Sequence, residues 1–400
     1  MNLYRSDLHI HVGMSESGRW IKIPTSARLT VHHILQESIA KGLNLIAIID
    51  ALSPLVQQDI TALIEIGLLQ PLSGGGYHYA DEQGEVSMIL GAEIETTEAQ
   101  GGSCHTLIYL PDLQTMQKFT TQMSRHIKNV NMSSQNAHMS FAQLIDIASS
   151  YDALVVPAHV FTPFKSIFGS VTDRISSLLS DKQLANITAV EIGLSADSML
   201  ADRIGEVCNF TLLSNSDAHS LDKIGREFNI FSMESTAFTE YGKVLKRLAG
   251  RKITANYGMD PRLGKYHATV CLDCGSHEIV SNKGLHQFVC NACSGTRIVR
   301  GVFDRIADIA DFPIPHHPDF RPPYFYQIPL SFLPGLGPKT VGKLRQAFSS
   351  EIYVLHQASF EELSQATNAK VATTIMNGRS GKLQLNAGGG GVYGKVYENK

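Results

Sequence analysis

The sequence predicts an α/β protein that begins with a (β/α) barrel and continues into smaller modules. Three observations lead to this fold class. Short apolar runs alternate with segments of helical period from residue 1 to about 220, four of the six cysteines form two CxxC pairs, and a turn rich in glycine and proline opens residues 331–400. Repeated βα units are typical of barrels, and a chain of 400 residues exceeds one domain of roughly 100 to 200 residues.

Seven apolar runs are the expected barrel strands. In order they are "LYRSDLHIH", "LNLIAIID", "VSMILGAEIE", "CHTLIYLP", "ALVVPAH", "ITAVEIGL" and "FTLLSNSDAH". Between them, residues 31–42, 139–152 and 195–208 have the apolar spacing of amphipathic helices. A run "FNIFSM" (228–233) and a helix near 236–249 follow. We expect the C-terminal ends of the strands to meet on one face, as they do in barrels of this kind.

Polar residues stand at the ends of nearly all these runs. They are His9, His11, Asp50, Glu93, His159, Glu191, Asp217 and His219, whereas His105 lies near the start of its run. Imidazole and carboxylate groups suit zinc, manganese or iron, and several such ions together are the usual machinery of phosphoester hydrolysis. Because strand side chains repeat every two residues, His9 and His11 share one face and can bind one ion. Asp217 and His219 repeat that spacing.

The composition is that of a soluble globular protein. Apolar residues make up 43% and charged residues 18%, no apolar run is long enough for a membrane span, and the N-terminus lacks a signal-peptide pattern. We therefore expect a cytoplasmic, nucleoid-associated protein. Residues 1–255 hold 19 Lys and Arg against 26 Asp and Glu, whereas residues 331–400 hold 8 against 4. This asymmetry favours an acidic enzyme body that gains polyanion affinity from appended modules, with chance unevenness as the alternative.

The four clustered cysteines predict a structural zinc site. Cys271, Cys274, Cys290 and Cys293 have the form CxxC-x15-CxxC. In a reducing cytosol this spacing indicates a tetrahedral zinc ribbon rather than disulfides. Four thiolates complete the coordination shell, so this ion stabilises the fold and takes no part in catalysis. A redox CxxC motif is the alternative.

The motifs "DLHIH", "IID", "GAEIET", "CHTLIYLP", "PAHVFTPF", "EIGLSAD" and "SNSDAH" resemble those of the polymerase and histidinol phosphatase (PHP) family. The resemblance implies a distorted (β/α)7 barrel with two or three divalent ions, which are zinc, manganese, iron or magnesium. It implies metal ligands at His9, His11, Asp50, Glu93, His105, His159, Asp217 and His219. Glu93 matches the bridging carboxylate, and with Asp217 and His159 it is an expected catalytic residue. The last two are the candidates for proton transfer.

Two departures from the family pattern concern a third metal ion. Asp50 is followed by Ala51 where the family has histidine, and Ser53 stands where some relatives carry another. A histidine that the family places shortly after the first pair is also missing, with Ser15 and Ser17 in that region. We therefore expect two ions that are well supplied with ligands and a third site that is not.

"LPGLGPKTVGKLRQAF" (333–348) resembles the helix-hairpin-helix of DNA repair proteins. Gly335 and Gly337 permit a tight turn whose N–H groups face a phosphate, and Lys339 adds charge. A protein-interaction or structural turn is the alternative. Residues 358–376 are a candidate second copy without the glycines. Residues 311–329 have the proline content of an extended linker. Four consecutive glycines in the tail predict a segment that cannot hold one conformation without a partner.

The order of PHP barrel, zinc ribbon and helix-hairpin-helix resembles the endonuclease Q family. This resemblance implies an enzyme that uses metal-activated water to cut double-stranded DNA 5′ to uracil, hypoxanthine, xanthine or an abasic site. Flipping the damaged base requires a pocket, for which "VFTPF" (160–164) and "GLSAD" (193–197) are candidates, with Phe161, Phe164 and Ser195 as DNA contacts. Buried core aromatics are an equally good interpretation of the two phenylalanines.

Three other functions stay open at this point. They are a phosphatase for small phosphate esters, a metal-dependent exonuclease and a non-catalytic DNA-binding scaffold. The expected domains are a catalytic barrel (1–255), a zinc ribbon (256–305), a linker (306–330) and a DNA-binding module with a Gly-rich tail (331–400). We expect a monomer, and a sliding clamp is a further candidate partner from the family.

Overall fold

The computed structural model describes residues 1–23, 25–282 and 287–398. Its first part contains strands β1 (Asn2–Ile10), β2 (Leu45–Ile48), β3 (Leu69–Pro71), β4 (Tyr77–Asp81), β5 (Gly84–Thr97), β6 (Ser103–Leu110), β7 (Leu154–Pro157), β8 (Val190–Glu191), β9 (Leu212–Leu213), β10 (Phe228–Met233) and β11 (Lys252–Met259). Its helices are α1 (Val31–Lys41), α2 (Pro54–Glu65), α3 (Leu113–Met123), α4 (Phe141–Ser149), α5 (Asp181–Leu184), α6 (Ser198–Ala201) and α7 (Phe238–Leu245). All seven expected strands are present, and the α/β class is confirmed.

Seven strands follow one another around a ring. β1 pairs with β2 and β2 with β5 in parallel, whereas β6 runs antiparallel to both β5 and β7. β8 pairs with β9 in parallel. Two bridges complete the ring, one from Val155 of β7 to Ile187 and one from Ile10 of β1 to Ala218. Because β6 is reversed, its first residues lie at the face where the other strands end, which explains why His105 comes early in its run.

The ring has an apolar interior, and the helices cover much of its outside. Side chains of β2 alternate between the inside and the outside of the ring. Leu45 and Ala47 pack with Leu107 and other residues of the ring strands. Ile46 and Ile48 belong instead to the larger cluster that contains the buried faces of α1, α2 and α4. Period-two alternation in a strand buried on both faces produces these two layers.

The helix expected over residues 195–208 is interrupted. Only α6 and a short turn at Val207–Asn209 are helical. Asp202, which is fully buried, accepts two hydrogen bonds from the Arg321 guanidinium, at 2.7 and 2.8 Å, and contacts His317. Gly205 N–H donates to Asp311 at 2.7 Å. The chain leaves the helical path because these residues bind a segment more than a hundred positions away.

The remaining part of the described chain contains β12 (Val270–Cys271), β13 (Ile279–Asn282), β14 (Gln287–Cys290), β15 (Ile298–Val299), β16 (Tyr324–Gln327), β17 (Gln384–Asn386) and β18 (Lys395–Tyr397). Its helices are α8 (Val302–Ile309), α9 (Pro338–Ala347), α10 (Glu351–His356), α11 (Phe360–Ala366) and α12 (Ala369–Arg379). β12 pairs with β15 and β13 with β14, which gives the two small hairpin-like sheets of a ribbon. No helix in the described ranges has the length and apolar character of a membrane span.

The expected linker is attached along the catalytic body. Its strand β16 pairs in parallel with β11, which itself crosses the expected domain boundary at residue 255. Arg321 is almost fully buried against Asp202, and Val302, Ile306 and Ile309 of α8 join the large apolar cluster of the barrel. The segment is therefore extended in part and held against the catalytic body at Arg321 and β16, whereas most of residues 311–320 are exposed. The division into domains stays a prediction.

The described part of the glycine-rich tail has the partner that the sequence said it would need. Gly388 N–H donates to Arg262 O at 2.8 Å and Ala268 N–H donates to Gly388 O at 2.9 Å, while β17 pairs with β18. A Cβ on Gly389 would lie 2.7 Å from Ala268 O. Glycine is needed here for close backbone packing against residues 262–270, so the low conformational preference of glycine is offset by a partner within the same chain.

Candidate metal centre

Seven of the eight expected ligands meet at the face of the ring where the strands end. Three overlapping groups place their ligand atoms within 4.8 Å of one another, and they are His9 with His11 and Glu93, His11 with Asp217 and His219, and Glu93 with His105 and His159. Three of these residues lie on β1, β5 and β6, and the other four follow β1, β7 and β9. Strands distant in sequence therefore supply one composite site.

His9 and His11 both direct Nε2 at the site, and each ring is held in place through its Nδ1. His9 Nδ1 lies 2.9 Å from Glu191 Oε2, and His11 Nδ1 lies 3.0 Å from Asp50 Oδ2. In each case Nε2 faces Glu93 and Asp217 at 3.4 to 3.6 Å. A carboxylate on the far nitrogen fixes the tautomer and orientation of a metal-binding imidazole. Both rings are thus prepared to offer an Nε2 lone pair.

Two further histidines follow the same arrangement with different partners. His159 Nε2 lies 3.4 Å from Glu93 Oε1, and its Nδ1 lies 3.1 Å from Thr162 Oγ1. In His105 the two nitrogens exchange these roles. Nδ1 faces the centre, 2.9 Å from Glu93 Oε1, and Nε2 lies outside it, 3.4 Å from Glu95 Oε2. Each ring has one nitrogen toward the centre and one held outside it, as expected for ligands with supporting partners.

Buried nitrogens without hydrogen-bond partners show that the site fits metal ions. His9 Nε2, His11 Nε2 and His105 Nδ1 are buried and make no hydrogen bond of acceptable geometry. Unsatisfied buried polar atoms are costly and uncommon in native proteins. Lone pairs directed at a common point among carboxylates satisfy the requirements of divalent ions with nitrogen and oxygen ligands.

Glu93 connects two parts of the site. Its Oε1 faces His9, His105 and His159, whereas its Oε2 faces His11 at 3.6 Å and Lys22 at 3.3 Å. Burial favours the neutral acid, but His105 and Lys22 hold the pKa of this carboxyl well below its usual range. An ionised carboxylate with its two oxygens directed at different groups is suited to bridge two ions.

Asp50 is placed differently from the other expected ligands. One oxygen contacts His11 Nδ1 and accepts a hydrogen bond from Val12 N–H at 2.7 Å, and the residue belongs to none of the three ligand groups. His11 is the largest of the influences that lower the pKa of this carboxyl against its burial. Asp50 therefore orients His11, and its direct binding of an ion stays a prediction.

Three residues to which the sequence assigned no role complete the site. Glu191 holds His9 and accepts a hydrogen bond from Asn215 Nδ2 at 2.9 Å. Its position at the end of a predicted strand could have identified it as a site residue from the sequence. Lys22 and Ser134 lie on loops. Lys22 Nζ donates to Ser134 Oγ at 2.7 Å, and Ser134 Oγ donates to Glu93. No motif or periodicity marks these two residues.

The backbone is strained around the ligands. His159, Asp217 and Ser134 have φ values of 31°, 46° and 51°, which are unusual for residues other than glycine. Gly193, with φ of 73°, faces His159 so closely that a Cβ on it would lie 2.9 Å from His159 Cβ. Such strain concentrates at functional sites, where the surrounding structure maintains it.

The four ribbon cysteines form a second, separate ligand group. Their sulfurs lie within 4.8 Å of one another, with Cys271 to Cys293 at 3.7 Å and Cys274 to Cys290 at 3.5 Å. Zinc with four sulfurs at about 2.3 Å requires sulfur separations of about 3.8 Å. Both CxxC turns have the same hydrogen bonds, since Gly275 N–H donates to Cys271 O and Ser294 N–H to Cys290 O. The group fits the expected structural zinc.

The residues expected to contact DNA differ in accessibility. Gly335 and Gly337 are exposed at the turn before α9, and Lys339 is exposed in the first turn of that helix. Phe164 is 53% exposed with its ring against Tyr266. Phe161 is fully buried and stacks on Phe168, so it is a residue of the apolar core, which was the alternative interpretation from the sequence. Ser195 is also buried, and its Oγ accepts a hydrogen bond from Tyr266 N–H at 3.3 Å.

The helices expected to form the hairpin module are only partly regular. A single turn at Leu330–Phe332 precedes the glycine turn, and α9 follows it. The candidate second copy, residues 358–376, contains α11 and most of α12 separated by Thr367 and Asn368. The segment therefore has paired helices in the predicted place, and its role in DNA binding stays a prediction.

Comparisons with known proteins agree with this architecture, although no family model matches the chain. A Bacillus subtilis protein described as uncharacterized, YqxK, is 41% identical over 393 residues, which is 98% of each chain. An uncharacterized Methanocaldococcus jannaschii protein, MJ0043, is 38% identical over 263 residues, or 62% of this chain and 32% of that protein.

Two solved structures match along the whole chain. The lesion-specific endonuclease PfuEndoQ from Pyrococcus furiosus is 32% identical with a TM-score of 0.83, and the match covers 100% of this chain and 96% of that one. An endonuclease Q in complex with a 27-mer duplex substrate, with an abasic lesion at the active site, is 31% identical with a TM-score of 0.85 and coverage of 100% and 97%. The resemblance seen in the sequence is confirmed, and the chain belongs to the endonuclease Q family.

Proposed function

We propose that the chain is a metal-dependent DNA repair endonuclease that hydrolyses the phosphodiester bond 5′ to a deaminated base or an abasic site. The observation that carries this proposal is the group of buried histidine nitrogens and carboxylates that meet at one face of the ring. They lie in a chain that matches, from end to end, an endonuclease described as lesion-specific. An abasic lesion lies at the active site of the second relative, and the sequence resemblance adds uracil, hypoxanthine and xanthine.

The residues present fit at least one divalent ion in this site. His9, His11, Glu93 and Asp217 would hold one ion, and Glu93, His105 and His159 a second. His219 adds a ligand on the side of Asp217. When bound, such ions lower the pKa of water and offset the charge that develops on the phosphate.

The chain contributes orientation and charge. Glu191 and Asp50 hold the His9 and His11 rings, so their Nε2 atoms stay directed at the centre. Asp217 has a pKa well below its usual range because His219 and His9 offset the effect of its burial, so it enters the reaction as a carboxylate. Asp217 and His159 are our candidates for proton transfer. The departing 3′ oxygen takes up a proton, so the products are a 3′-hydroxyl and a 5′-phosphate.

The proposal is tested with end-labelled duplexes that each carry one uracil, hypoxanthine, xanthine or abasic site. We expect one nick 5′ to each lesion, none in undamaged duplex, and loss of nicking with a chelator. Activity on a generic phosphomonoester without nicking would favour the small-ester phosphatase. A requirement for a free DNA end would favour the exonuclease, and binding of damaged duplex without cleavage in manganese, magnesium or zinc would favour the scaffold.

Variants of the ligand group separate chemistry from binding. His9→Ala or Asp217→Asn should reduce nicking at least about 100-fold, since each removes a group held in the catalytic site. Duplex affinity should stay within a few-fold. His78→Ala is a matched control, because His78 is a partly exposed histidine paired with Glu85 outside the three ligand groups. Equal loss of binding and nicking would contradict the assigned roles.

The finer details are part of the same proposal. We propose two catalytic ions, one structural zinc, a monomer, and DNA contacts at Gly335, Gly337, Lys339 and Phe164. Metal analysis and size-exclusion chromatography test the first three of these. Phe164→Ala and Lys339→Ala test the contacts, and the second should weaken binding to all duplex sequences alike because phosphate contacts carry no sequence information.

A further inference from the structure

We propose that Lys22 is a substrate-positioning cation that binds a non-bridging oxygen of the scissile phosphodiester. This inference rests on the function proposed above and names the residue that meets the phosphate beside the metal ligands. Lys22 lies on the loop after β1, one residue beyond Ile21, which is fully buried. Ile21 N–H donates to Gly13 O at 2.9 Å and Ser133 N–H to Ile21 O at 2.7 Å. The residue before the lysine is thus held through both its backbone N–H and its carbonyl.

The ammonium group is directed at the ligand group. Lys22 Nζ lies 2.7 Å from Ser134 Oγ and 3.3 Å from Glu93 Oε2, and its side chain is 14% exposed. A lysine ammonium has three donors. Two are used by these partners, and the third has no partner among the described residues. It is a nearly buried cation at the mouth of the site with one donor available for an anion.

A second element holds the lysine in place. Ser134, whose left-handed backbone is strained for a serine, accepts from Lys22 and donates to Glu93, and Ser133 Oγ lies 2.9 Å from Ser134 Oγ. Flexible lysines gain little from a surface ion pair, because ordering the side chain costs entropy. The contacts from Ser134 reduce that cost before substrate binds, which is the property required of a preorganised group.

The charges of the site explain why such a cation is useful. Glu93 and Asp217 place two carboxyl groups side by side in the site, facing the same histidine nitrogens, and an approaching phosphodiester is an anion that gains charge in the transition state. The sequence also lacks the extra histidines expected for a third metal. In the group of His11, Asp217 and His219, only His11 also belongs to another ligand group. Lys22 supplies a positive charge from the protein beside Glu93, within the same group of side chains.

The test compares the metal-loaded parent with Lys22→Met, Lys22→Arg and the control Lys243→Met. Lys243 also pairs with a carboxylate, Glu240, but lies on α7. We expect Lys22→Met to keep the parent's metal content by mass spectrometry, to lower kcat for nicking about 100-fold or more, and to leave duplex affinity within a few-fold. Lys22→Arg should recover part of the rate, and Lys243→Met should match the parent.

A second measurement does not depend on nicking. Titration with inorganic phosphate, followed by calorimetry, should show at least tenfold weaker binding to Lys22→Met than to the parent. Equal phosphate affinity of Lys22→Met and the parent would overturn the proposal. Loss of bound metal in Lys22→Met would also overturn it, because that result means that Lys22 serves only to hold Glu93. If the parent nicks no lesion, the proposed function fails, and the phosphate titration still decides the role of Lys22. Lys22→Gln provides a second uncharged variant if the methionine variant unfolds.

Discussion

Glu351 joins the C-terminal helices to the barrel, and its replacement by glutamine should loosen that contact. Glu351 begins α10, and its carboxylate lies 2.7 Å from Lys41 Nζ of α1 and 3.1 Å from Arg345 of α9. The Lys41 and Glu351 side chains are only 3% and 9% exposed. Arg345 also binds Glu37 of α1 at 2.6 Å. Two cations thus lie around one carboxylate at a largely buried interface.

The size of the effect follows from the charges that remain. Removal of one partner from a buried ion pair costs about 3 to 5 kcal/mol, because the other charge is left desolvated. After the substitution, Lys41 still has its hydrogen bond to the carbonyl of Asp222, at 2.9 Å, and Arg345 still has its ion pair with Glu37. We therefore take the lower limit, about 3 kcal/mol for Glu351→Gln, which is roughly 150-fold in the equilibrium for opening this interface.

Hydrogen exchange measured by mass spectrometry tests this value locally. In Glu351→Gln, amides of α9 and α10 should exchange about 100-fold faster, while those of the ring strands keep the parent's rates. Asp308→Asn is the control, since the pair of Arg300 and Asp308 is exposed and worth less than about 1 kcal/mol. Adding Lys41→Met should recover much of the loss. Exchange in Glu351→Gln no faster than in Asp308→Asn would refute the reasoning.

Two other perturbations follow from the structure. Cys290→Ala should reduce the zinc content by one ion per chain and expose the ribbon to proteolysis, while the barrel keeps its unfolding temperature; an unchanged zinc content would contradict the four-sulfur site. Burial raises the pKa of Glu227 to about 8 from 4.5. Its contribution to stability is therefore complete below about pH 4.5 and is lost as pH rises through 8. Glu227→Gln should remove this loss, so its unfolding temperature should exceed the parent's increasingly from pH 5 to 9.

The sequence predicted the barrel strands and most of the residues that meet at the candidate metal centre, because both depend on local order. Alternating apolar residues define a strand, and the residues at its end lie on the active face whichever strands become neighbours. His105 departed from that rule, and only the antiparallel pairing of β6 explains its position. The direction of a strand depends on its partners, which periodicity does not report.

Contacts over long sequence distances account for the rest. Asp50 and Glu191 have the same position at a strand end as the ligands, but their orientation toward His11 and His9 is decided by the closed ring. The helix over 195–208 is interrupted because Asp202 binds Arg321. Phe161 lies in the motif expected at the DNA pocket, and packing against Phe168 places it in the core instead. Apart from Phe168, which is seven positions from Phe161, these partners are distant in sequence.

The glycine-rich tail shows how the appended modules connect to the metal centre. Tyr393, in that tail, accepts a hydrogen bond from Arg226 at 2.9 Å, and the same guanidinium donates to Ser216 O at 2.8 Å and Asp217 O at 3.3 Å. Arg226 is only 4% exposed. Asp217 has a left-handed backbone, so its carbonyl needs a donor that keeps this conformation. Through Arg226, the last part of the chain therefore supports the backbone of Asp217, which is one of the expected metal ligands.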